Sequence, residues 1–144
     1  EIRGGKLGSI PDTDIEAAFL GVFDGIVPED VRFLGGETIG ELFDRTLPAL
    51  DALRADPAWD CVLLVLHGGV NRALLSHALS AGGRTFFGHL AQATGCINAL
   101  DVGAAPRDWV LRLINHSPPS PLHRDVRNTT MEMLYAQYLH FKRS

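Results

Sequence analysis

The sequence predicts an α/β sandwich built on a mostly parallel sheet, and three observations carry this. Cys61–Leu66 is apolar at every position, the pattern of a strand buried on both faces of a parallel sheet. Gly68 and Gly69 turn the chain directly after it. Amphipathic helical patterns stand on either side, so the local rhythm is helix, buried strand, glycine turn, helix.

Taken in order, the first 36 residues are glycine-rich and weakly periodic, with Gly4, Gly5 and Gly8 breaking any long element. Asp14–Phe23 reads as a short helix with Ile15, Phe19 and Val22 on one face. A loop follows through Pro28 to Gly36. Thr38 and Glu41 have the spacing of a capping box, and they open a helix whose apolar stripe is Ile39, Leu42, Phe43, Leu47, Leu50 and Leu53. Glu41, Asp51 and Arg54 are expected to face water, and Pro48 to bend the helix or break it slightly. The stretch Ala55–Trp59, with Pro57, ends it. After the buried strand, Val70–Leu79 reads as a helix with Leu74, Leu75, Ala78 and Leu79 inward. Cys96–Val102 and Trp109–Ile114 read as two strands joined by a turn at Gly103–Arg107, a hairpin. Pro118, Pro119 and Pro121 rule out regular structure near them. Thr130–Phe141 fits a helix with Met131, Leu134, Tyr135 and Tyr138 as its apolar side. No internal repeat or domain linker is visible, so residues 1–144 read as one domain or most of one.

The chain has 144 residues, of which 46% are hydrophobic and 21% charged, enough for one core. Its formal charge is −4 with scattered Lys and Arg, which speaks against a nucleic-acid partner. No apolar run approaches the ~20 residues of a membrane span. Cys61 and Cys96 lie in apolar surroundings without CxxC spacing, so two buried, reduced thiols and a cytoplasmic location are expected. The six histidines show no metal-ligand spacing, and no cofactor is expected. A homo-oligomer is compatible with this composition.

His67 stands at the carboxyl end of the predicted interior strand, where ligands gather in open α/β sheets. Directly after it, Gly68 and Gly69 lead into a helix N-terminus, which offers unpaired N–H groups and about half a positive charge. Glycines let an anion approach the backbone closely. Together these features describe a phosphate pocket at His67, Gly68 and Gly69. The alternative is a structural histidine at a strand end with glycines that only turn the chain.

Four segments, in order, resemble the histidine phosphatases, the superfamily that includes phosphoglycerate mutase. Glu1-Ile2-Arg3-Gly4-Gly5-Lys6-Leu7-Gly8 is similar to the stretch that opens with the family's acid/base Glu. Gly36-Glu37-Thr38 resembles its Gly-Glu-Ser turn, followed by the helix bearing Arg45. Val65-Leu66-His67-Gly68-Gly69-Val70-Asn71-Arg72 resembles its second histidine motif. Cys96–Leu100 and Trp109–Asn115 resemble its late strands and the Asn after them.

The resemblance implies a three-layer α/β/α sandwich of the phosphoglycerate mutase type and a small phosphorylated substrate. A nucleophilic His in an Arg-His-Gly motif becomes phosphohistidine, a second His completes the phosphate pocket, and a carboxylate exchanges the proton. Matched to this chain, His67 takes the second-histidine role and Glu1 that of the proton donor. No Arg-His-Gly occurs in the 144 residues. His77, His89, His116, His123 and His140 lie outside any family motif, and Arg45 and Arg72 read as surface or ion-pair residues. The nucleophile, the phosphate-binding arginines and the first strand are therefore expected in a segment preceding Glu1, and the 144 residues alone are expected to be inactive. The Gly4-Gly5-Lys6-Leu7-Gly8 continuation is closer to the phosphatase branch than to the mutases, so phosphomonoester hydrolysis is the expected activity. A mutase-type phosphotransferase and a non-catalytic phosphate-ligand or partner-binding relative are the alternatives. Substrate choice is expected in Pro11–Leu34 and in the Pro-rich loop.

Overall fold

The computed structural model describes residues 1–118 and 129–143. Helix α1 (Ile15–Leu20) continues into a 3-10 turn at Gly21–Phe23, and strand β1 (Ile26–Val27) follows. Helices α2 (Ile39–Ala55) and α3 (Gly68–Leu79) come next, then β2 (Phe86–Phe87), β3 (Ile97–Val102), β4 (Trp109–His116) and α4 (Thr130–Arg143). Strand β1 pairs antiparallel with β2, and β3 antiparallel with β4, giving two two-stranded sheets. No described helix is long and apolar enough to cross a membrane.

The capping box forms as its spacing requires. Glu41 N donates to Thr38 Oγ1 at 3.0 Å, and Thr38 N donates to Glu41 Oε2 at 2.8 Å, so two orphan donors of the first turn of α2 are satisfied. Pro48 sits inside the helix, which runs on to Ala55. The α2 stripe meets α3, and with β2 they enclose the core. Ile39, Leu42, Phe43 and Phe86 are fully buried, and the Phe43 and Phe86 rings meet edge-on at 6.0 Å. Burying side chains of this size contributes roughly 1.5–3 kcal/mol each, so this cluster dominates the packing term. Helix α4 adds a second contact: Tyr135 and Tyr138 stack on Phe19 of α1 at 5.5 and 5.4 Å.

The predicted interior strand is where the structure differs from the sequence reading. Cys61–Leu66 leads into α3 without regular secondary structure, belongs to no sheet, and none of its backbone groups bonds to a described residue. Leu63 and Val65 are 86% and 90% exposed, whereas Val62, Leu64 and Leu66 are half covered. No two described strands are parallel. The reason is the absence of a neighbour: a strand is buried on both faces only between partners that supply its hydrogen bonds and the layers above and below. Cys61 shares the exposure of this segment and Cys96 is half-buried, so the thiols are free but not both buried as expected. Two smaller departures have local causes. Leu79, at the end of α3, is 42% exposed. Arg54, expected to face water, lies over the Trp109 ring at 4.3 Å and donates to the Gly103 and Ala105 carbonyls of the β3–β4 turn. His123 and the prolines at 119 and 121 lie outside the described residues.

Candidate active site

Helix α3 begins at Gly68 with His67 as its N-cap, in extended conformation and without a side-chain cap bond. The His67 ring is therefore uncommitted at the helix start, and the residue is exposed. Asn71 N already bonds to the His67 carbonyl at 2.9 Å, whereas the N–H groups of Gly68, Gly69 and Val70 have no intrahelical partner. This end carries the positive pole of the helix.

Ile2 is only 7% exposed and packs on Gly69. A Cβ at Gly69 would lie 2.9 Å from Ile2 Cγ2, so only glycine admits this contact. The bare face of Gly69, expected to admit an anion, thus admits Ile2, and Glu1 arrives beside the helix start as a consequence. Glu1, His67, Gly68 and Gly69 all line one open cavity of about 1160 Å3. Its other walls include Cys61–Leu66 and Thr94–Val102. Residues 66 positions apart in sequence thus border the same cavity. His77 is not among the lining residues. It is buried, with Nδ1 at 2.8 Å from the Gly83 carbonyl and its ring edge-on to Trp109, a packing role. His89 pairs Nδ1 with the Gly25 carbonyl at 3.0 Å.

Arg72 also lines the cavity, and its placement corrects the expectation of a surface or ion-pair residue. It is 6% exposed, donates from Nε to the Gly88 carbonyl at 3.2 Å and from Nη1 to the Gly68 carbonyl at 3.3 Å, and lies over the Phe23 ring at 4.7 Å. No carboxylate pairs with it among the described residues. Burial lowers its pKa to about 10, against a smaller opposing effect of Cys96, so it is still a cation at neutral pH. A buried, uncompensated positive charge one turn inside α3 reinforces the positive helix pole. The sequence signal was only its spacing, five residues after His67 on the face that turns inward.

Arg45, by contrast, forms an ion pair, with Glu37 at 2.5 Å. Burial opposes ionisation of Glu37, but the hydrogen bonds from Arg45 and Arg3 N and the Arg45 charge outweigh it and hold the carboxyl below its ordinary value. Asn115 stands at a positive φ of 52° in β4, and its Oδ1 accepts from Ala93 N at 2.7 Å, tying the cavity wall at residues 93–98 to the hairpin.

The arrangement offers an oxyanion a helix N-terminus, a histidine and a buried guanidinium, with a carboxyl group on the same cavity. The family model of the histidine phosphatase superfamily (branch 1) matches residues 1–117. No curated protein and no solved structure gives a significant match. With most of its length matched, including all four motif segments, the chain belongs to branch 1 of the histidine phosphatase superfamily.

Proposed function

We propose that this chain is part of a phosphomonoester hydrolase that works through a phosphohistidine intermediate. What supports the reading is that Glu1, His67, Gly68 and Gly69 all line one cavity, in a chain whose family includes phosphatases and mutases. In this reading the phosphoryl group sits against the α3 N–H groups and His67, with the field of Arg72 behind them. Glu1 protonates the oxygen that leaves phosphorus, then takes a proton from the attacking water. The nucleophilic histidine and its arginine come from residues outside 1–144, since no Arg-His-Gly lies within them. The same residues supply the strand that pairs with Cys61–Leu66, making it the interior strand of a parallel, three-layer sandwich. The unsatisfied backbone and exposed leucines of that segment support this completion.

The test uses the protein with its natural residues upstream of Glu1, incubated with p-nitrophenyl phosphate in EDTA. Release of p-nitrophenol and a phosphoenzyme that is labile in acid and stable in base are expected. Absence of both overturns the reading. Transfer of the phosphoryl group to a second hydroxyl of phosphoglycerate in preference to water would make the protein a mutase instead.

A further inference from the structure

A proton donor is useful only if its oxygen is held within hydrogen-bond reach of the atom it serves. Glu1 belongs to no helix or strand, and its side chain is exposed, so its own packing does not fix it. Its backbone is fixed from outside. Arg45 Nη2 donates to the Glu1 carbonyl at 2.5 Å. The same guanidinium grips Glu37 with Nε on Oε1 at 2.5 Å and Nη2 on Oε2 at 3.0 Å. Glu37 in turn holds the chain on the far side of Ile2: its Oε2 accepts from Arg3 N at 3.0 Å, and its own N–H donates to the Arg3 carbonyl at 2.8 Å. Gly36 permits this approach, because a Cβ there would lie 2.4 Å from the Arg3 carbonyl oxygen. The residue between the two grips, Ile2, is seated on Gly69 at the start of α3.

A half-buried ion pair is a weak source of stability, since desolvation offsets much of its attraction. Its distinctive product here is directional: one carboxylate and one guanidinium fix the residues on both sides of Ile2. We propose that the Glu37–Arg45 pair is a positioning device for Glu1, setting the backbone from which the carboxyl group addresses the leaving oxygen. The inference rests on the proton-donor role proposed above for Glu1. In that step the bond from phosphorus to the ester oxygen breaks as the bond to the nucleophile's nitrogen forms. The Glu1 proton moves to the departing oxygen and leaves a carboxylate behind. A displaced Glu1 backbone impairs this transfer while the phosphate grip at α3 persists.

The two esters to compare are glycerol phosphate, whose alkoxide needs the proton, and p-nitrophenyl phosphate, whose leaving anion is stable without it. The readout is the ratio of their single-turnover phosphorylation rates, measured in the protein with its natural residues upstream of Glu1. Arg45→Met is expected to lower the alkyl rate at least ~10-fold more than the aryl rate, part of the ~10²–10⁴-fold that acid catalysis supplies. Arg45→Lys keeps the charge against Glu37, but one ammonium cannot span both Glu37 and the Glu1 carbonyl. It is expected to recover the thermal stability lost in Arg45→Met without recovering the ratio, and it serves as the test variant if Arg45→Met does not fold. In a Glu1→Gln background neither change should move the ratio further. Equal loss on both esters, or a ratio effect that survives in Glu1→Gln, overturns the positioning role. If Glu1→Gln itself leaves the ratio unchanged, the proton-donor assignment falls and the inference falls with it. A Glu1-dependent but Arg45-independent ratio removes the inference alone.

Discussion

An alkyl phosphate releases a strongly basic oxygen, which must be protonated as the P–O bond breaks, and in the function proposed above Glu1, which lines the cavity, supplies that proton. In the protein with its upstream residues, Glu1→Gln is expected to slow the first step on glycerol phosphate by ~10²–10⁴-fold and on p-nitrophenyl phosphate much less. Rapid-quench measurement of phosphoenzyme formation checks this, and equal losses would reduce Glu1 to a structural acid. Glu37 yields a second expectation, in stability. Its carboxyl is held below the ordinary value of 4.5, so between the two values the folded chain binds fewer protons than the unfolded chain. The resulting stabilisation is complete above the unfolded value and is lost as pH falls through the folded one. Urea midpoints taken between about pH 6 and pH 3 should drop less steeply in Glu37→Gln than in the wild type. An unchanged slope would show that the ion pair does not contribute this linkage.

Among the elements, α3 bears most directly on the site, because its first turn serves both the proposed anion pocket and the seat of Ile2. Alanine ordinarily favours a helix over glycine by about 1 kcal/mol. At Gly69 the added Cβ meets Ile2 at 2.9 Å, and overpacking of this kind costs about 1–3 kcal/mol. Gly69→Ala is therefore expected to destabilise the fold despite its better propensity, and to displace Glu1 with Ile2. Thermal denaturation gives the first effect, and the chemical shifts of Ile2 and Gly68 give the second. A stabilised Gly69→Ala protein with unmoved shifts would mean that Ile2 does not seat there. The β3–β4 hairpin and α2 need no such test of their register. The sequence pointed to both, and the paired strands and the capping box are present.

For the whole molecule, the decisive feature is an irregular apolar segment that lines an open cavity. Leu63 and Val65 are largely exposed, and the backbone of Cys61–Leu66 has no partner among the described residues. Residues 1–144 by themselves should bind phosphate weakly at His67–Gly69 and turn over no phosphate ester, because they hold no Arg-His-Gly. Metal-independent hydrolysis by the purified 144-residue chain, abolished by His67→Ala, would contradict the proposed division of the catalytic groups.

Much of this was determined by the sequence alone. The capping residues Thr38 and Glu41 and the stripe of α2 are local patterns, and local hydrogen bonding and periodicity suffice to realise them. The helix after His67 was legible too, although it starts at Gly68 and not at Val70, so the two glycines form its first turn and no strand ends at His67. Tertiary structure decided what depends on distant partners. It paired the dipeptide strands β1 and β2, too short to show a period. It buried Arg72 without an acid among the described residues, and it turned Glu37 and Arg45 toward the backbone of Glu1 and Arg3. It also left Cys61–Leu66 uncovered although its composition is that of an interior strand. Composition records what a segment can bury, but burial itself requires neighbours that lie elsewhere in the chain.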